Sequence, residues 1–400
     1  MRILVINLKR IGDVLLATPA LHALKRAFPE SRIWALVPKG TEEVLTSNPD
    51  LEQVLTFERE IPGGLLEKVK AEGRLLLTVR RIRPDLVLEM GRGDREAILG
   101  FLSGAKVRVG YNPGRSGFLG RGLLLTHVVP WGGEKHTVER YLDLVRALGV
   151  EAEPGPLRFF FGRSDIEAID RLLREKGVME DDLLITIHPT SVWFFKGWTD
   201  EGFAQVIDHL WSRYGAKVAV TSGPARREVE KARRVIGLAK SPLLDLAGKL
   251  TLKQLAALLK RSHLFLGVDS APMHIAAAVG TPVVALFGPS NEQNWRPWGE
   301  GHVVLKKDLF CRPCGRDGCH RSKRSYCLEL ISPEEVLQAI EGRLIRLGRD
   351  HTAIGDLPDL FGPGGHLRLL GHPASGDDGK GGDAEPSEQG GPLRRPLNVV

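Results

Sequence analysis

Residues 264–290 read LFLGVDSAPMHIAAAVGTPVVALFGPS, and this stretch decides the fold. An apolar run, LFLGV, ends at Asp269 and Ser270, and Pro272 then stands where a helix begins. PMHIAAAVG is an alanine-rich helix closing on Gly280, and PVVALFG is a second apolar run that ends in the polar turn Gly288, Pro289, Ser290. Short apolar runs flanking a helix are the pattern of strands covered on both faces, the βαβ unit of a parallel sheet. Pro272 suits a first helical turn, where its missing N–H has no bond to lose. The small alanines let the helix lie close on the sheet.

The same alternation runs outward. Ahead of this stretch lie DLLITIHP (182–189), the helix DEGFAQVIDHLWSRYG (200–215), KVAVTSG (217–223), a helix from Ala225 to about Ile236, and the helix TLKQLAALLKRS (251–262). Behind it, PEEVLQAIEGRLIRL (333–347) opens with Pro333 in a first turn. The front of the chain repeats the scheme. RILVINL (2–8), RIWALVP (32–38), DLVLEM (85–90) and KVRVGYN (106–112) read as strands. They alternate with helices at 14–28, 41–47, 65–82, 94–104 and 136–149. Between the halves, EAEPGPLRFFFGRSD (151–165) is rich in Pro and Gly and breaks the pattern. The expected class is α/β: two Rossmann-like, doubly wound parallel-sheet domains facing a cleft, at 1–155 and 164–332. A C-terminal helix is expected at 333–348 and a tail at 351–400. Ligands of such sheets sit beyond the carboxyl ends of the strands.

Composition sets the outer bounds. With 400 residues, 42% hydrophobic and 26% charged, the chain is ordinary globular material with room for two cores. A wholly disordered, collagen-like or disulfide-stapled chain is excluded. No apolar run reaches the ~18 residues a spanning helix needs. MRILVINLKR, with no small-residue cleavage site after it, reads as a strand rather than a signal peptide. Fifty-six Lys and Arg against 49 Asp and Glu give +7; residues 351–400 hold four basic and seven acidic residues, so residues 1–350 carry +10. A basic body suits an anionic partner: a nucleotide sugar, a phosphorylated glycolipid, an anionic membrane surface or nucleic acid. Lys68, Lys70, Arg74, Arg80, Arg81 and Arg83 on the 65–82 helix are either a solvated face or a contact with anionic lipid. The tail holds eleven Gly and six Pro and is expected to be disordered.

Four segments carry candidate chemistry. After the first strand, Gly12 allows a tight turn or a close ligand approach. Asp13 sits at a helix start, where the dipole favours an ionised carboxylate. It reads either as an N-cap or as a general base facing the cleft. Lys9 and Arg10 beside it are candidates to bind an anionic acceptor. In HPTSVWFFKGWTDEGF, Thr190, Ser191 and Lys196 suit the phosphates of a bound nucleotide. Trp193 and Trp198 read as packing residues. At the deciding stretch, the helix N-terminus at Ser270 is an anion site. Ser270 is a candidate cap, Asp269 a partner for a sugar or ribose hydroxyl, and His274 lies one turn on. Gly288, Pro289 and Ser290 repeat the device after the next strand. There is no GxxxxGK[ST], no GxGxxG after a strand and no GxSxG.

The fourth segment is FCRPCGRDGCHRSKRSYC, which holds every cysteine of the chain: Cys311, Cys314, Cys319 and Cys327. One cluster in an otherwise thiol-free chain points to a reducing compartment, so cytoplasmic, and to a local site. The thiols are candidates for a structural zinc or an iron–sulfur cluster, or are simply reduced. The spacing is not that of a zinc ribbon.

IGDVLLATPALHALKRAFP near the N-terminus and GVDSAPMHIAAAVGTPVVALFGPS resemble glycosyltransferase family 9, which includes the heptosyltransferases of lipopolysaccharide core assembly. The Cys-rich segment followed by CLELISPEEV is most similar to its heptosyltransferase III branch. The resemblance covers roughly residues 1–348. It implies a GT-B fold, with the acceptor on the N-terminal domain and the nucleotide sugar on the C-terminal one. It also implies inverting transfer from ADP-heptose with no cofactor required for catalysis. By the same resemblance, Asp13 is the catalytic aspartate, and Lys196, Asp269, Ser270, His274 and the acidic Glu228 after TSG serve the donor. From the segments themselves, Lys9, Arg10 and Gly12 are expected to border the acceptor, and Thr190, Ser191, Ala271, Met273 and the turn Gly288, Pro289, Ser290 to join the donor side. The donor-loop text is KGWT here, without the family's proline. A lipid-anchored acceptor implies peripheral attachment to the inner face of the cytoplasmic membrane.

Three rivals stay open at this level. One is a GT-B transferase using a hexose nucleotide. Another is a basic nucleic-acid-binding protein with a Cys module, against which the basic residues are scattered and no recognition motif is present. The last is an idle scaffold, against which Asp13 and Lys196 are both in place.

Overall fold

The computed structural model describes residues 1–112 and 121–346. The expected tail at 351–400 lies outside the described residues. Two six-stranded sheets, parallel throughout, organise the chain. The first is built from β1 (Arg2–Ile6), β2 (Arg32–Pro38), β3 (Gln53–Phe57), β4 (Leu86–Glu89), β5 (Val107–Tyr111) and β6 (His127–Val129). The second is built from β7 (Leu184–His188), β8 (Lys217–Ser222), β9 (Leu244–Ala247), β10 (Leu264–Val268), β11 (Val283–Leu286) and β12 (Val303–Leu305). Their orders, β3-β2-β1-β4-β5-β6 and β12-β11-β10-β7-β8-β9, are the same doubly wound pattern used twice. Each sheet reverses its winding once, between β1 and β4 and between β7 and β10, and there the loops part to leave a crevice at the carboxyl ends.

Helices cover both faces of each sheet. On the first, α1 (Ile11–Leu16), α2 (Thr18–Ala27) and α5 (Thr137–Arg146) pack one face, and α3 (Leu65–Ile82) and α4 (Asp94–Leu102) the other. On the second, α6 (Arg163–Glu175), α9 (Leu252–Arg261) and α10 (Ala271–Ala278) cover one side. The opposite side takes α7 (Asp200–Tyr214), α8 (Arg226–Leu238) and α13 (Pro333–Arg346). Caps follow local chemistry. Thr251 accepts from the Gln254 N–H while the Gln254 side chain accepts from the Thr251 N–H, and Thr199 accepts from Gly202 at the start of α7. Gly215 ends α7 at a φ of 61°, a left-handed turn that glycine takes without cost.

The halves are joined by more than the linker. Buried residues of α1, α2 and α5 and of α9 and α10 form one continuous apolar cluster. His136, at the N-cap of α5, donates from Nε2 to the Arg296 carbonyl at 2.9 Å and accepts at Nδ1 from the Val138 N–H. Burial holds it neutral, its pKa pushed down to about 3. Trp298 stacks against it at 4.7 Å and donates to the Gly155 carbonyl.

The structure departs from the sequence reading at specific places. The helix expected at 14–28 starts at Ile11 and breaks at Ala17, and a second helix begins at Thr18 with Pro19 in its first turn. The helix expected at 41–47 is one 3₁₀ turn, Glu42–Val44. α6 fills a stretch read without an element, and α11 (Glu292–Trp295) and α12 (Tyr326–Glu329) are single turns. Strands β3, β6, β9 and β12 had no counterpart in the reading. All are sheet edges: β6 and β12 span three residues each, β9 is four residues interrupted by Asp245, and β3 is buried only at its last residue, so none writes a long apolar run. Among the described residues no helix is long and apolar enough to cross a membrane.

Candidate active site

The front wall of the site is the turn from β1 into α1. Arg10 occupies the N-cap position in an extended conformation and its side chain caps nothing. Asp13 is the third residue of the helix, so it is not the N-cap. Its carboxylate, 19% exposed, lies 3.5 Å from the Lys9 ammonium, and Tyr141 Oη donates to Oδ1 at 3.5 Å. Burial keeps the Tyr141 phenol protonated, its pKa pushed well above 10, so it donates. The loop is held from below and from the side. Glu96 accepts from the Leu8 and Gly93 N–H groups, and the Arg59 guanidinium donates to the Leu8 and Lys9 carbonyls. Arg10 lies over the Trp193 ring at 4.8 Å, reaching across to the other half.

The back wall is assembled at the ends of β7, β8 and β10. His188 closes β7 and is neutral, burial pushing its pKa down to about 3. A consistent proton chain follows: Thr221 Oγ1 meets His188 Nδ1 at 2.9 Å, His188 Nε2 meets Thr190 Oγ1 at 3.0 Å, and Thr190 donates to Glu228 Oε1 at 3.2 Å. Burial raises the Glu228 pKa, partly opposed by that hydrogen bond. Lys196, in the 3₁₀ turn Phe194–Lys196, bonds Asp269 Oδ2 at 2.6 Å. Ser270 is the N-cap residue of α10, but its hydroxyl donates back to the Val268 carbonyl instead of capping the helix. His274, buried and held neutral with a pKa near 4, has an Nδ1 without a hydrogen-bond partner among the described residues. Gly12 is where the two walls touch: a methyl group there would stand 3.1 Å from His274 Cδ2.

These walls enclose one cavity of about 640 Å³. Arg10, Gly12 and Asp13 line it from the front, and Thr190, Ser191, Lys196, Glu228, Asp269, Ser270, Ala271 and His274 from the back. Lys9 stands beside it through its contact with Asp13. Met273 does not reach it, being fully buried in the core. Gly288, Pro289 and Ser290 do not line it either. Their turn backs onto the Cys-rich segment, with Arg312 donating to the Gly288 and Ser290 carbonyls and the Gly315 N–H donating to Pro289. Lys39, Arg59, His188, Thr221 and Trp295 also line the cavity and were missed in the sequence. Lys39 and His188 immediately follow or end recognised strands, so the strand-end rule alone would have found them. Arg59 follows β3, a strand that was itself missed.

The four cysteines are unpaired. Cys311 is exposed, Cys314 and Cys319 are partly covered, and Cys327 is buried with its thiol pKa raised by desolvation. Among the described residues no three His, Cys, Asp or Glu side chains gather closely enough to hold a metal ion. The zinc or cluster considered from the spacing therefore finds no assembled ligand set here.

Comparison with known proteins places this geometry. The model of "Glycosyltransferase family 9 (heptosyltransferase)" matches residues 73–324. "Lipopolysaccharide heptosyltransferase 3" of Escherichia coli is 31% identical over 82% of this chain and 95% of its own length, and the protein of that name from strain K12 is 32% identical over 82% and 94%. A family 9 glycosyltransferase structure from Veillonella parvula superposes with a TM-score of 0.74 at 24% identity, covering 86% of this chain and 97% of that one. The structure of E. coli "ADP-heptose lps heptosyltransferase II" superposes at 0.70 with 20% identity, covering 87% and 100%. Two doubly wound lobes meeting at one cavity are thus the GT-B fold, and the chain, matched by the family model over more than half its length, belongs to glycosyltransferase family 9.

Proposed function

We propose that this glycosyltransferase moves a heptose from ADP-heptose to a hydroxyl of the lipopolysaccharide inner core, with inversion at the anomeric carbon and Asp13 as general base. One observation carries the reading: a half-buried carboxylate of the front lobe and a lysine beside a helix N-terminus of the back lobe open onto the same cavity. The names of the two E. coli relatives support the sugar and the acceptor.

In this reaction Asp13 takes the proton of the acceptor hydroxyl. The oxygen attacks the anomeric carbon as the bond to the diphosphate breaks on the opposite face, and ADP leaves carrying the extra negative charge. Lys196 and the N-terminus of α10 lie where that charge develops, and fixed positive groups there stabilise the transition state more than the ground state. Tyr141 and Lys9 steady the Asp13 carboxylate, and Lys9 and Arg10 meet the anionic acceptor. Asp269 and Glu228 serve the hydroxyls of the donor. The acceptor is lipid-anchored, so the protein works at the inner face of the cytoplasmic membrane. The reaction needs no metal for these steps.

The test is mass-spectrometric detection of product from ADP-, UDP- and GDP-sugars offered with lipid-core acceptors. Heptose transfer from ADP-heptose is the expected outcome. Transfer only from a hexose nucleotide overturns the donor assignment, and no transfer from any donor overturns the reading.

A further inference from the structure

We propose that the outer face of α3, continued by α4, is a docking surface for an anionic lipid bilayer. α3 is 18 residues long, about 27 Å. Its inner side is accounted for: Leu75 and Val79 join Leu99 of α4 in the apolar cluster against the sheet, and Glu72 pairs with Arg95 of α4 at 2.6 Å. Its outer side runs Leu66, Val69, Gly73, Leu77, the i, i+3, i+7, i+11 spacing of one helical stripe. Leu66, Val69 and Leu77 are 60%, 59% and 58% exposed, and a Cβ added to Gly73 would meet nothing. Ile98 and Phe101 of α4 are also exposed, at 41% and 48%. Large aliphatic side chains turned outward along one helical stripe mark a contact surface.

The bordering charges identify the occupant. Lys70, Arg74 and Arg81 flank the stripe on the outward side. Of the acids of α3, Glu72 is turned to α4, while Glu67 shares the flank of Lys70, Arg74 and Arg81 and accepts from the Gly64 N–H at the helix start. Aliphatic residues that can enter the acyl boundary, edged by three cations against one carboxylate, are the pattern of an interfacial helix on anionic lipid. A second copy of the chain fits poorly, because a two-fold contact would bring these cations against themselves. The start of α3 is tethered to the cleft. Arg59 lines the cavity and α3 begins six residues later, so at most about 20 Å of chain separates them. The inference rests on the surface alone and adds a route by which a lipid-borne acceptor reaches the site proposed above.

The test is flotation of the full chain with vesicles of phosphatidylcholine alone or with 30% phosphatidylglycerol, none carrying an acceptor. The expected result is binding to the anionic vesicles that fades at high salt. Replacing Lys70, Arg74 and Arg81 by Gln should weaken it roughly a hundredfold. The triple change Leu66→Gln, Val69→Gln, Leu77→Gln should abolish it while leaving the melting temperature and transfer to a delipidated acceptor unchanged. Failure of the wild type to bind anionic vesicles, or equal binding by all variants, overturns the proposal. So does a loss of dimer in solution on the Leu/Val changes with vesicle binding intact, which would assign the stripe to self-association. Because the vesicles hold neither donor nor acceptor, the outcome is independent of the transfer assay.

Discussion

The two walls of the cavity are built to different standards. On the back wall, His188, Thr190, Glu228, Asp269 and His274 are all buried, and the first three form an unbroken hydrogen-bond chain. On the front wall, Arg10, Lys39 and Arg59 are exposed and Asp13 is held by two contacts of 3.5 Å. Groups that must meet charge as it develops on a leaving diphosphate gain by being fixed in advance, since they then cost no reorganisation. A base that must meet a large, variable acceptor hydroxyl gains from an open approach, and hydrogen bonds of the base tighten only when substrate is present. Under the function proposed above, the difference suits a fixed donor site on the back lobe and an open acceptor approach on the front.

Three measurements would break or sharpen that contrast. Asp13→Asn should lower kcat by ~10²–10⁴ while ADP affinity, read by calorimetry, stays within about twofold; a parallel loss of ADP binding would mean the lobes do not divide the work. Lys196→Ala should weaken ADP binding as well as rate, by about 3 kcal/mol in the transition state, and leave the acceptor KM unchanged. An unaltered ADP affinity would remove the lysine from the donor side. The third reads the back wall through pH. His188 and His274, with pKa values pushed to about 3 and about 4, stay neutral in the folded protein, whereas the unfolded chain takes up protons below about 6.5. Stability is therefore full above pH 6.5 and is lost as pH falls toward 4, by about 1.4 kcal/mol per pH unit per histidine. Urea midpoints at pH 7 and pH 5 should show the drop, and His188→Asn should flatten it. His136 between the lobes contributes in the same direction. An unchanged slope in His188→Asn would mean the back wall is not held dry.

The interior of the fold was legible and its margins were not. The eight strands recognised in the sequence are the four central ones of each sheet, buried on both faces and therefore written as continuous apolar runs. The missed strands are the four edges. β3 alternates irregularly because only its last residue is buried, and β6 and β12 span three residues each. The site followed the same division. Asp269 directly follows β10, Asp13 and Lys196 lie in the segments after β1 and β7, and all three fell into one cavity. Glu228, assigned through the resemblance from its place after TSG, closes the Thr190 chain. What a linear reading does not contain is pairing: the Lys196–Asp269 bond spans 73 residues and the Tyr141–Asp13 contact 128. Nor does it show that Arg312 turns Gly288, Pro289 and Ser290 away from the cavity, since a polar strand-end turn looks the same whether a ligand or another loop covers it.

Gly12 lies so close to His274 that the ring would have to give by a few tenths of an ångström to admit a methyl group. The lobes are thus already in van der Waals register at the base of the crevice, and no further approach is available along that line. The smallest side chain in the protein therefore sets how closely the two lobes meet at the base of the crevice.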